Sequence, residues 1–175
     1  MNERSPTGHK PLTLENWTQA DPVMHAFGGY DLNTGQFQSI DRDLWARQVL
    51  ACNLVGAVPR EVHRLFDVAR GTMLYAYFFY PVMTLAAEQL YRVVDAALAA
   101  RMSHRGRRLT FAARIEAAIQ EGVIPKQDEI RWNATRHLRN IASHAEKQSI
   151  YAPGMALNTL AIATEQINRL FDRTS

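Results

Sequence analysis

The sequence is poor in cysteine, in long apolar runs and in net charge, and each shortage closes off a class of protein. A single cysteine, Cys52, occurs in 175 residues. That excludes a disulfide framework within one chain and a zinc site built on several thiolates. Cys52 sits in Leu50-Ala51-Cys52-Asn53-Leu54, where the ordinary use is as a small buried hydrophobe. The most apolar segment, Met73 to Ala87, is shorter than the roughly 18–20 residues that span a bilayer, and it holds Pro81 and three tyrosines. It reads as core helix rather than membrane span. Met1 to Pro11 carries Arg4, His9 and Lys10 but no apolar run, so no secretory signal and a cytoplasmic location are expected. Glycine-rich phosphate loops, serine-nucleophile turns and paired-carboxylate motifs are missing too.

What is present fits one domain of ordinary size. The hydrophobic fraction of 47% is enough for one real core and leaves little room for a second. Net charge is +3 with a pI of about 9.2, mildly basic and compatible with an anionic partner. The distribution says more than the total. Arg101, Arg105, Arg107 and Arg108 crowd one short stretch, and Arg131, Arg136 and Arg139 follow later. A solvated basic loop is the more common use of such a run; the alternative is a phosphate-contacting patch.

The first forty residues are expected to be irregular, because Gly28-Gly29 and Asp31-Leu32-Asn33-Thr34-Gly35 are turn chemistry. Trp17, Phe27, Tyr30 and Phe37 supply apolar anchors with which this segment can wrap the rest. Residues 41–175 read as an all-α, up-and-down helical bundle with no convincing strand. Ser39 or Asp41 caps a helix over about Arg42 to Leu54, stopped by Gly56, and Pro59 opens the next. From Pro59 to about Met102 the pattern is helical but too long for one rod, with Gly71 and Pro81 as the expected interruptions. Leu74, Phe78, Val82 and Leu85, then Leu90, Val94, Ala97 and Leu98, form its core stripes. Further helices are expected over about Thr110 to Glu121, Pro125 to Glu146 and Met155 to Asp172. In the second of these the apolar stripe is Ile130, Ala134, Leu138, Ile141 and Ala145.

The chemistry concentrates in Arg136-His137-Leu138-Arg139-Asn140-Ile141-Ala142-Ser143-His144-Ala145-Glu146. Arg139 and His144 have four residues between them, and Asn140 directly follows the arginine. This Arg-Asn-x-x-x-His pattern resembles the signature of the HEPN superfamily. The order of elements is similar as well: an aromatic-rich helical stretch ending in Ala-Ala-Glu-Gln-Leu-Tyr-Arg precedes the motif, and an amphipathic C-terminal helix follows it. The likeness covers about Pro59 to Asp172.

The resemblance implies a helical bundle, a homodimer with both motifs facing one cleft, and activity on RNA as a metal-independent endoribonuclease. Its alternative is a non-catalytic module binding a protein or nucleotide. As a toxin or defence protein it would have an antitoxin or regulatory protein as partner. Neither metal nor organic cofactor is implied. In the catalytic case His144 moves the proton, since its unperturbed pKa of roughly 6.5 lies near neutrality. Arg139 stabilises the phosphorane with a planar fork of donors, and Asn140 positions one or both. Arg136, Arg105, Arg107 and Arg108 would contact the RNA backbone.

Helix geometry bears on this. Asn140 and His144, four apart, share a face. Arg139 and His144, five apart, point about 140° away from each other on a straight helix. A curled arginine, a distorted helix or a symmetry-related chain would each reconcile them. One departure from the family pattern stands out: Glu146 occupies a position that is commonly aromatic in toxin-type members. A carboxylate there repels phosphate and raises the histidine pKa.

Other candidates are weaker. His137 and His144 are separated by roughly 10 Å of helix rise, too far for one metal ion. Glu88 and Arg92 form an i, i+4 pair, most simply a surface salt bridge, and Glu88 alternatively supports Arg139. The aromatics from Tyr75 to Tyr80 resemble a stacking platform for bases, but core is their more ordinary use.

Overall fold

Helix boundaries follow from caps written into the sequence. In the computed structural model, which describes residues 8–105, 109–142 and 151–172, Asp41 opens helix α1 (Arg42–Ala51) by accepting from the Leu44 amide at 2.6 Å. The helix ends three residues before the expected Leu54. The reason is local: the Asn53 side-chain amide donates to the carbonyls of Leu50 and Ala51, at 3.0 and 3.2 Å, which satisfies the last turn. Pro59 stands immediately before α2 (Arg60–Tyr75), one position earlier than expected.

Gly71 does not interrupt α2, in contrast to expectation. A glycine inside a helix costs only about 1 kcal/mol, and the buried face of Val62, Phe66, Ala69 and Met73 runs past it. The break comes at residues 76–81, where the chain turns before α3 (Val82–Arg101), and Pro81 lies just ahead of that helix. Leu90, Val94, Ala97 and Leu98 are fully buried on α3, as their spacing predicts, whereas Leu85 is 57% exposed. Of the aromatics from Tyr75 to Tyr80, Tyr77 is buried and Tyr75 is 65% exposed. They crowd the turn between two helices, with Tyr77 and Phe78 edge to face.

Thr110 caps α4 (Phe111–Gln120), accepting from Ala113 N at 3.2 Å, and Gly122 with φ +72° closes it. A short 3₁₀ turn, Lys126–Asp128, leads into α5 (Glu129–Ala142). Here the expected stripe is out of phase. Ile130 is 84% exposed and Leu138 is 41% exposed, while the residues facing the core are Trp132 and Thr135. Helix α6 (Pro153–Phe171) is the last helix among the described residues and buries Ala156, Leu160, Ala163 and Ile167.

The protein is therefore an all-α helical bundle. Consecutive helices α1 to α5 pack on one another, and α3 is the centre, lying mainly against α2 and α6 and also against α4 and α5. No helix among the described residues is long and apolar enough to cross a membrane.

The N-terminal segment contains a feature the sequence did not reveal. Strands β1 (Gly28–Tyr30) and β2 (Phe37–Ser39) form an antiparallel hairpin with Gly29 opposite Gln38. Its loop is an Asx turn, with Asp31 accepting from Asn33 and Thr34 amides, and Gly35 takes φ +66°. Gly28 permits the pairing, because a Cβ there would meet the Gln38 carbonyl oxygen at 1.9 Å. The segment does pack on the bundle, but of the expected anchors only Phe27 takes part. Trp17, Tyr30 and Phe37 are largely exposed, whereas Met24 is fully buried and Phe27 stacks on Tyr80. Asp21, 1% exposed, ties the arm to the α2–α3 turn: its amide donates to Tyr77 O, and its carboxylate accepts from the Tyr80 amide, both at 2.9 Å.

Candidate functional site

Three helices meet where Arg139 emerges from the last turn of α5. Asp95, on α3, is the hub. One of its oxygens takes Nη1 of Arg114 at 2.6 Å, and the other faces Nη2 of Arg139 at 3.3 Å. Arg114 also donates from Nη2 to the Leu109 carbonyl at 2.9 Å, so its fork joins α3 to the strand of chain entering α4. The Arg139 guanidinium lies over the Phe111 ring, 5.6 Å from its centroid, a cation–π contact. The Thr110 cap fixes both α4 residues, because it sets the first turn that carries Phe111 and Arg114.

Burial falls off across this cluster in a definite order. The Arg114 side chain is 9% exposed, Asp95 22% and Arg139 36%. Two guanidiniums face one carboxylate, so the junction keeps a net positive charge. Arg114 is structural by burial. Arg139 is oriented from two sides and still meets solvent.

The remaining candidate residues distribute unevenly. Arg136 precedes Arg139 by one turn and is half-buried; its Nε is shielded from solvent and has no hydrogen-bond partner among the described residues. Asn140 is exposed on the same final turns. Arg105 does not join them. It donates to Glu121, whose other carboxylate oxygen accepts from His104 Nε2 at 2.9 Å, and the Arg105 bond, ahead of that from His104, holds the carboxyl below its ordinary range. Glu121 follows the end of α4, while Phe111 begins it, so Arg105 and Arg139 sit at opposite ends of a helix about 15 Å long. Arg107, Arg108, His144 and Glu146 lie outside the described residues.

Glu88 is half-buried on α3, two turns before Asp95. The carboxylate that meets Arg139 is Asp95 and not Glu88, and about 10 Å of helix rise separates the two. Asp95 and Arg114 escaped sequence reading, although each leaves a trace. Asp95 is the lone charge between Arg92 and Arg101, and Arg114 is the lone charge on the first turn of α4. A single charge in an apolar stretch of helix needs a partner when it is buried, and these two supply each other's.

Among the described residues no group of three or more His, Cys, Asp or Glu side chains is placed to hold a metal ion. Comparison with protein-family models, with curated proteins and with solved structures gives no significant match, so the likeness to HEPN proteins rests on the motif and the helix order.

Proposed function

We propose that this chain is a HEPN-like module that acts on RNA, with Arg139 as the residue that meets the phosphate. The observation that carries the reading is the state of Arg139: held by Asp95 and the Phe111 face, yet 36% exposed, on the final turns of the helix that leads to His144. A guanidinium fixed from two sides loses little entropy when it binds an anion, which favours a positioned contact over a floppy surface charge.

In the catalytic form, the ribose 2′-OH attacks the adjacent phosphorus as His144 takes its proton. Arg139 stabilises the charge on the pentacoordinate centre, and Asn140 orients one or both. The P–O5′ bond breaks, the 5′-oxygen takes a proton from solvent, and the product ends in a 2′,3′-cyclic phosphate. A homodimer supplies the geometry that a straight helix does not, by bringing one motif's arginine toward the other's histidine. Arg136, with Arg107 and Arg108 of the basic run, contacts neighbouring phosphates. An antitoxin or regulatory protein is the matching partner, and the setting is cytoplasmic.

The second reading is a non-catalytic module that binds a protein or nucleotide. Asp95 beside Arg139 favours it, because an adjacent carboxylate offsets part of the arginine's charge, and Glu146 close to His144 favours it too. An RNA-cleavage assay in EDTA separates the two. Cleavage by the wild type, lost in His144→Ala and in Arg139→Ala, is the expected result. A folded protein that leaves several RNAs intact while binding one of them would replace the nuclease with the binding module.

A further inference from the structure

Helix α2 turns a narrow seam to solvent. Arg64, Val68, Gly71 and Tyr75 follow one another at spacings of four, three and four residues, so they line one face of the helix. Val62, Phe66, Ala69 and Met73 take the opposite face into the core. On the seam Val68 is 59% exposed, Tyr75 is 65% exposed, and Arg64 is exposed as well. Arg64 takes part in no ion pair among the described residues. Tyr75 leaves much of its ring open beside Phe78, whose ring centroid is 6.4 Å away.

Nothing among the described residues requires a glycine at position 71. A Cβ there would meet nothing within 4 Å, and the backbone has no positive φ. A glycine inside a helix is destabilising relative to alanine, so Gly71 gains nothing for the fold of one chain. What it leaves is a notch in the seam, between Val68 and Tyr75, that lets another chain approach the helix closely.

We propose that this seam is an interface between two copies of the chain, with α2 antiparallel to its counterpart. The register is self-complementary. Val68 and Gly71 have their midpoint between Ala69 and Arg70, and so do Arg64 and Tyr75. A two-fold axis at that midpoint sets each Val68 against the notch at the partner's Gly71, and each Arg64 over the ring of the partner's Tyr75 for a cation–π contact. Every pairing in such a contact occurs twice, which is why a large residue must face a small one and a cation an aromatic. The surrounding charge selects the same occupant. Glu61 and Asp67 are exposed on either side of Arg64, a mixture that suits a second copy and repels the phosphates of a nucleic acid or a lipid surface. Arg64, Leu65, Val68 and Tyr75 offer on the order of 500 Å² per copy, at the small end of specific interfaces, so the dimer dissociates on dilution. The seam gives the homodimer of the proposed function a surface, and it rests on that reading for the dimer's role and not for its contacts.

The test is sedimentation velocity of the full chain over a dilution series, with circular dichroism to confirm the fold of each variant. A monomer–dimer equilibrium is expected for the wild type. Gly71→Val fills the notch without meeting anything inside the chain, and it should raise the dissociation constant at least tenfold. Exchanging the two residues, Val68→Gly with Gly71→Val, sets a notch opposite a valine again and should restore the wild-type constant to within threefold. A merely structural effect of either residue would not be rescued in this way. Arg64→Glu has no ion pair to lose within the chain, so it keeps the test decisive where the changes at 71 upset folding, and it should weaken the dimer at least fivefold. Ile130→Asp, at an 84% exposed position on α5, should leave the equilibrium unchanged. A wild type that stays monomeric into the hundreds of micromolar, a folded Gly71→Val or Arg64→Glu that dimerises as the wild type does, a folded exchange variant without rescue, or a dimer lost in Ile130→Asp would each overturn the proposal. A dimer that behaves as expected but neither binds nor cuts RNA would instead overturn the RNA reading and leave the seam in place.

Discussion

The N-terminal arm and the α3–α4–α5 junction are each organised by one aspartate, and the two aspartates face different kinds of donor. Asp21 is buried and accepts from backbone amides, Val23 N at 3.0 Å and Tyr80 N at 2.9 Å. Asp95 is partly open and accepts from side-chain guanidiniums, one nearly buried and one meeting solvent. Backbone donors cannot leave without unfolding the turn that carries them. A side-chain donor can rotate away or exchange its partner for a ligand. The first arrangement secures the fold, whereas the second holds a cation in place for use.

The largest effect should come from breaking the arm. Asp21→Ala leaves the Val23 and Tyr80 amides without their acceptor, and a loss of roughly 3 kcal/mol is expected in urea unfolding. RNA binding per folded molecule should not change. Next comes the junction itself. Asp95→Ala strands the nearly buried Arg114, for an expected loss of about 2 kcal/mol. Asp95→Leu combined with Arg114→Met should lose less than the two single changes added together, since an apolar pair needs no compensation. Arg139→Ala should cost only about 0.5–1 kcal/mol of stability, because its ion pair and ring contact are partly solvated. An unfolding midpoint as low as that of Asp95→Ala would make Arg139 structural and erase the contrast.

The smallest effect is a pH dependence outside both regions. The hydrogen bond from Arg131 holds the Glu165 carboxyl below its ordinary range, helped by the charges of Arg131 and Arg169. A depressed folded value means that the contribution to stability is present above the unfolded value of roughly 4.3 and is lost as pH falls through the folded one. Glu165→Gln should therefore lose this contribution above about pH 4.3 and converge with the wild type in acid, which flattens the acid limb of the stability profile.

Periodicity made the bundle legible where one helix face is apolar and the other is not, as on α3 with Leu90, Val94, Ala97 and Leu98. It failed on α5, where the deciding contacts are mixed: Trp132 and Thr135 face the core while Ile130 points to solvent. The hairpin was hidden because three-residue strands with all six residues exposed carry no burial pattern. At the site, Arg139 could be named from its spacing to His144. Its partners could not, since Asp95, Phe111 and Arg114 come from two other helices and meet it only through packing.

The most direct test of the account is the salt dependence of single-stranded RNA binding by the wild type and Arg139→Ala, measured by fluorescence anisotropy. A lost phosphate contact should weaken binding at every salt concentration and lower the slope of log K against log salt by about 0.7. Equal affinity and equal slope for two folded proteins would contradict the assignment of Arg139 to the phosphate.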